Sequence, residues 1–135
     1  MPDISIINPE AMGPPLSMYG QIARVRATEF VFIAGQLATD LNSRIVGKGD
    51  FDAQMKQVLA NIEKALKSVD ASFTNVVQFT TYLVHSQDIP KFMAYRKREF
   101  PRLFPSGAYP PNTLLIVDRL VQESFLIEVQ TVAAL

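Results

Sequence analysis

Glu128 is the residue of this chain best placed to do chemistry. It lies inside an apolar run, Phe-Leu-Ile-Glu-Val-Gln-Thr-Val, residues 125 to 132. Two-residue alternation puts it on the same face as Leu126, Gln130 and Val132, which predicts partial burial. A carboxylate in that setting costs free energy unless something pairs with it, and such groups are over-represented at working sites. The residues alone leave two readings, a proton-handling acid or a structural hydrogen bond. A second polar residue stands at a turn-to-strand junction. The stretch Tyr-Pro-Pro-Asn-Thr-Leu-Leu, residues 109 to 115, enters an apolar strand with one neutral amide, Asn112, at its mouth. An amide there can both donate and accept a hydrogen bond.

Other candidates read as structure. His85 is the only histidine, and Ser86 and Asp88 stand beside it. A catalytic imidazole needs a nucleophile or an orienting carboxylate nearby, but this adjacency describes a strand-to-helix turn, so His85 reads as a surface or capping residue. The absence of cysteine excludes disulfides, thiolate nucleophiles and cysteine-ligated zinc. With one histidine and no clustered acidic motif, neither a metal nor a cofactor is expected. Gly13-Pro14-Pro15 and Gly47-Lys48-Gly49-Asp50 lack the spaced glycines and terminal lysine and hydroxyl of a phosphate loop and read as turns. Arg96-Lys97-Arg98, extended by Arg102, reads as a solvated helix face, with an anion-binding rim as the alternative.

Thirteen basic and thirteen acidic residues give no net charge, which argues against a nucleic-acid partner. No apolar run is long enough for a membrane helix and the amino terminus has no signal-like pattern, so a cytoplasmic protein is expected. The 135 residues, 48% of them hydrophobic, fit one domain with its own core.

The positioning elements follow from periodicity. Tyr19 to Arg26 alternates loosely as a first strand, and Phe30 to Gly35 is a clearer one with two apolar faces. Asp50 caps a helix whose Phe51, Met55, Val58, Leu59, Ile62, Leu66 and Val69 recur at helical spacing, while Gln54, Lys56, Lys64 and Lys67 hold its wet face. Val76 to Val84 returns to strand. Ile89, Phe92, Met93 and Phe100 mark a second helix, opened by Pro90 and ended by Pro101 and Pro105. Strands over Thr113 to Arg119 and Phe125 to Val132 complete a β-β-α-β-α-β-β order. Single strands between helices imply crossovers that place both helices on one side of the sheet. The other face then has no cover within the chain, and self-association is the simplest way to bury it.

In this order the segments resemble the Rid family, also called the YjgF family and often labelled L-PSP endoribonucleases. Gly13-Pro14-Pro15 with Tyr19-Gly20-Gln21 is similar to its proline loop. Val31-Phe32-Ile33-Ala34-Gly35-Gln36 is similar to its Val-Phe-Val-Ser-Gly-Gln strand. Gln54 to Asn61 is similar to the opening of its first helix, and Ile127-Glu128-Val129 to its closing Ile-Glu-Ile. The resemblance implies an α+β fold of the chorismate-mutase-like type, a homotrimer with a central β-barrel, and pockets between subunits. It also implies hydrolysis of small reactive enamines and imines to a keto acid and ammonia.

By the same resemblance Glu128 corresponds to the glutamate that handles water and Tyr19 to the tyrosine that lines the site. Asn112, Thr113 and Leu114 on a strand, Ala34 and Gly35 on another, and Met93 on the second helix correspond to the substrate-binding positions. Three of these depart from the family pattern. Asn112 stands in place of a carboxylate-gripping arginine, Ala34 in place of a serine and Met93 in place of an asparagine. A neutral amide lacks the charge and bidentate fork of arginine, and an unpaired buried charge costs about 2 to 5 kcal/mol. A pocket for a neutral or differently oriented ligand is therefore expected, unless Arg24, Arg26 or Arg119 compensates. Two functional readings stand side by side, an imine or enamine hydrolase and a non-catalytic small-molecule-binding trimer. A ribonuclease is a remote third, given the neutral charge.

Overall fold

The computed structural model describes residues 1–135, and Asp50 opens its long helix as its position predicts. The Asp50 carboxylate accepts from the Ala53 N–H at 3.1 Å, satisfying one of the unpaired donors of the first turn of α1 (Phe51–Lys67). Phe51, Met55, Val58, Leu59, Ile62 and Leu66 are all buried along one stripe of this helix. Gln54 departs from its expected place on the wet face, because it is buried as well. Its Nε2 donates to the Gly47 and Ser124 carbonyls and its Oε1 accepts from the Leu126 N–H at 2.8 Å. The side chain thus supplies the Ser124 carbonyl and the Leu126 N–H, which would otherwise be orphaned under the helix, and adds a second donor to the Gly47 carbonyl, which already accepts from the Asp50 N–H.

The second helix, α2 (Ile89–Leu103), carries Pro90 in its first turn, where a missing N–H has no intrahelical partner to lose. Pro101 does not end it. The helix runs on to Leu103, and the Phe104 N–H closes it by donating to the Phe100 carbonyl at 2.8 Å. The carbonyl that Pro101 leaves without its usual donor belongs to Lys97, an exposed residue.

Six strands complete the chain: β1 (Asp3–Ile7), β2 (Ile22–Arg26), β3 (Phe30–Gln36), β4 (Val76–Leu83), β5 (Asn112–Ile116) and β6 (Ile127–Ala134). β1 is an addition to the expected order. It pairs antiparallel with β2, Asp3 opposite Arg26 and Ile7 opposite Ile22, as a separate ribbon. The other four form one sheet in the order β3-β6-β4-β5, with β6 antiparallel to both neighbours and β4 parallel to β5. β5 stops at Ile116, short of the expected Arg119, whose guanidinium bonds the Leu120 and Val121 carbonyls and Glu123 in the following loop.

Both helices pack on one face of this sheet. Ile33, Val76, Phe79, Leu83, Ile127, Val129 and Ala133 meet Met55, Ile62, Phe92 and Phe100 there. Phe73, Phe79, Phe100, Phe104 and Tyr109 form an aromatic group with centroids 5.2 to 6.2 Å apart. The opposite face is bare. Phe32 is 76% exposed and Phe30 50% exposed, which is unusual for large aromatic side chains in a strand. No helix is long and apolar enough to cross a membrane.

Candidate functional site

Glu128 sits on the bare face. Alternation along β6 buries Ile127, Val129 and Thr131 against the helices and turns Glu128, Gln130 and Val132 the other way. Opposite Glu128 in the ladder stands Tyr82 of β4, and beyond Tyr82 stands Leu115 of β5. The carboxylate is partly buried and accepts no hydrogen bond from the chain. Loss of water raises its pKa above the ordinary value of 4.5. A carboxylate shifted in this direction is a better proton acceptor near neutral pH than an ordinary glutamate.

A bulge brings Gly35 against it. The β3–β6 register breaks between Ile33 and Gln36, leaving Ala34 and Gly35 outside the regular pairing. A Cβ at Gly35 would lie 2.7 Å from Glu128 Cδ and 3.0 Å from its Oε2. The absent side chain is therefore what gives the carboxyl group its place. Ala34 is exposed beside it, with its carbonyl accepting from the Gln36 amide at 3.0 Å. Thr113 of β5 pairs with Thr80 and is exposed on this same face.

Asn112 faces the other way. It is the first residue of β5 and pairs with Phe79, which points into the core. Its Oδ1 accepts from the buried Thr81 hydroxyl at 2.8 Å, and its Nδ2 donates to nothing in the chain. Leu114, in register with Thr81, also packs on the core side. Asn112 and Glu128 consequently do not meet within one chain. The structure sorts the eight expected residues into two groups. Glu128, Gly35, Ala34 and Thr113 lie on the bare face, whereas Asn112, Leu114, Met93 and Tyr19 lie on the helix side.

What unites Asn112, Met93 and Tyr19 is a residue that the sequence pattern places in solvent. Arg96 of α2 is 2% exposed, and its guanidinium stacks 4.3 Å above the Phe92 ring. It donates from Nη1 to the Met18 carbonyl at 3.3 Å and from Nη2 to the Ser17 hydroxyl at 3.0 Å and Met93 Sδ at 3.2 Å. The Ser17 hydroxyl donates in turn to Met93 Sδ. Burial lowers the pKa of Arg96 to about 10, opposed by the neighbouring Tyr19 phenol. It remains a cation at neutral pH. Arg96 and Asn112 line one small cavity of about 10 Å³, the room of a single water, with Thr81, Phe92 and Phe100 among its walls. A signal for this existed in the sequence. Phe92, Arg96 and Phe100 recur at intervals of four, which puts Arg96 on the apolar stripe.

The loop that carries Tyr19 is pinned at both ends. Gln21 N–H donates to Asn8 Oδ1 at 2.8 Å, and Tyr19 Oη accepts from the Leu16 N–H at 3.2 Å. Gly20 leaves space for Ile6 and the Tyr109 carbonyl, so the loop lies flat against β1. The expected substitutes for an arginine at 112 lie elsewhere. Arg24 and Arg26 are exposed on the β1–β2 ribbon, and Arg119 is bound to its own loop. His85 is exposed and makes no capping bond.

Comparison with known proteins places this arrangement. The family model described as Endoribonuclease L-PSP matches residues 11–135. The chain is 35% identical over 100 residues to 2-iminobutanoate/2-iminopropanoate deaminase of Bos taurus, covering 74% of this chain and 69% of that one. It is 30% identical over 128 residues to 3-aminoacrylate deaminase RutC of Acinetobacter baylyi, 95% of each chain. The crystal structure of YyfB of Yersinia pestis, a protein of unknown function in the conserved Rid family, matches with a TM-score of 0.86 at 30% identity over 98% of both chains. Matches of this extent establish that the chain belongs to the endoribonuclease L-PSP family, the group that includes the Rid and RutC proteins.

Proposed function

We propose that this protein hydrolyses the C=N bond of small imines, and of enamines that tautomerise to imines, in clefts between copies of a homotrimer. The observation that carries this reading is Glu128, a carboxylate with a raised pKa, held against a glycine and free of any partner in its own chain. Relatives named as imine and aminoacrylate deaminases support a deaminase-type role. The bare sheet face with Phe30 and Phe32 supports self-association. A cleft between copies also resolves the sorting of the site. A ligand against Glu128 of one copy can reach the Asn112, Met93 and Tyr19 side of the next, which it cannot do within a single chain.

In the reaction Glu128 takes a proton from water as the water oxygen bonds to the imine carbon. The imine nitrogen gains a proton, and the resulting carbinolamine collapses to a carbonyl compound with loss of ammonia. General-base assistance of this kind contributes about 10² to 10⁴ in rate. Ammonia release from imines generated in situ from several amino acids tests the proposal. Turnover that falls by about 10² or more in Glu128→Gln is the expected result. No release above buffer for any imine, charged or neutral, defeats it.

One observation favours a second reading, a trimer that binds a small molecule without consuming it. Asn112 and Ala34 together remove the charged and hydroxyl groups expected at the reacting centre. In that case a ligand raises the melting temperature and is recovered unchanged. Turnover abolished by Glu128→Gln removes this reading.

A further inference from the structure

We propose that Arg96 is the anion clamp of this site, taking over from helix α2 the carboxylate-binding role that Asn112 cannot perform, so that the ligand is a small monocarboxylate. The inference rests on the reading of the site as a small-molecule cleft and names the charge of what enters it.

A buried arginine with its charge intact normally has a carboxylate beside it, because desolvation of the cation is costly. Arg96 has none. The ion pairs of the chain are Lys67 with Glu63, Lys91 with Asp88, Arg98 with Asp52, Arg102 with Glu99 and Arg119 with Glu123. Its acceptors are a hydroxyl, a carbonyl and a thioether, all neutral and all at 3.0 Å or more. A guanidinium has five N–H groups, and three hydrogen bonds leave two unused. One of these is Nε–H, which is fully buried and without any acceptor.

The second set of unused donors is on Asn112. With Oδ1 engaged by Thr81, the Asn112 Nδ2 group has no acceptor in the chain, and it lines the same cavity as Arg96. Donors without acceptors, gathered on one charged and one neutral side chain between apolar walls, define a site for an anion. A carboxylate accepts from both, and charge-assisted bonds to arginine are shorter and about twice as strong as neutral ones.

The cavity itself admits about one water, so the carboxylate is met at its rim. There Ser17 and Met18 occupy the guanidinium in place of a ligand. An entering carboxylate exchanges with these two neutral acceptors, and the loop that holds Tyr19 shifts with them. This links arrival of the anion to placement of Tyr19 in the cleft.

Isothermal titration of the full chain with pyruvate, propionate and neutral propionamide tests the assignment. The carboxylates are expected to bind and the amide not to bind. Arg96→Met is expected to weaken the carboxylates by about 30-fold or more, the loss that follows removal of one member of a buried charge pair. Asn112→Asp leaves the fold's packing unchanged and gives Arg96 an internal carboxylate, so it is expected to weaken the same ligands to a similar degree. Carboxylate and amide binding alike, no carboxylate binding by the wild type, or unchanged affinity in either variant overturns the proposal. Imine turnover with carboxylate affinity indifferent to both variants removes this inference and leaves the hydrolase. Carboxylate affinity lost in both variants, with no imine turnover by the wild type, keeps the clamp and removes the hydrolase.

Discussion

Gly35 and Glu128 share one space: the carboxyl group of the second rests where a side chain on the first would lie, with 2.7 Å between a would-be Cβ and Glu128 Cδ. Gly35→Ala should therefore displace the carboxyl group while leaving the fold intact, because the obstructing atoms belong to the end of a flexible side chain. We expect a stability change within about 1 kcal/mol by chemical denaturation. Imine turnover should fall by a factor approaching that of Glu128→Gln. A Gly35→Ala variant with wild-type turnover would disconnect Glu128 from the chemistry.

Glu128 also sets a pH dependence of known sign. Its folded-state pKa is raised by desolvation, so the folded chain holds its proton more tightly than the unfolded chain. Stability from this group falls as pH rises from the ordinary carboxylate range through the raised value, since the native state then binds more protons than the unfolded state. Relative to Glu128→Gln, the wild type should lose melting temperature as pH rises above the ordinary carboxylate value of 4.5. The same shift places the acidic limb of kcat/KM above the ordinary value of 4.5. Parallel melting curves for the two chains across this range contradict the assignment.

Gln54 fastens the helix layer to the chain that leads into β6, through the Gly47 and Ser124 carbonyls and the Leu126 N–H. Gln54→Leu keeps the volume and strands the Leu126 N–H in the interior. The expected loss is about 1 to 3 kcal/mol in urea denaturation, the penalty of a buried polar group without a partner. Because this segment precedes Glu128, turnover should fall along with stability.

Phe32 tests the covering of the bare sheet face. Phe32→Lys places a charge where an aromatic ring stands 76% exposed. A buried phenylalanine contributes about 1.5 to 3 kcal/mol per copy, so the variant should sediment at a lower mass than the wild type. Its helical circular dichroism should be unchanged. Equal mass for both chains would show that this face is not the one that associates.

How much of this was legible in the sequence depends on the range over which each residue acts. Apolar periodicity located both helices and most strands, because Phe51 through Leu66 and Phe30 through Gly35 carry their pattern locally. β1 escaped because its five residues gain meaning only when Asp3 meets Arg26 across the intervening loop. Gln54 escaped for a related reason. Polar residues point outward by default, and two of the three backbone groups it serves, on Ser124 and Leu126, are distant in sequence. Arg96 was readable from its spacing with Phe92 and Phe100, but the neighbouring Lys97 and Arg98 made a solvated run the simpler pattern. The opposed directions of Asn112 and Glu128 required the register of three strands, Phe79 opposite Asn112 and Tyr82 opposite Glu128. Side-chain type is local information, whereas register is not.

With a cleft between copies, as proposed above, the division of polar residues between the two faces of one sheet would make catalysis a property of concentration. A chain diluted below the dissociation constant of the assembly would keep its fold and both half-sites, yet lose turnover per molecule. Chains defective in opposite halves, mixed and reassembled, would recover part of it.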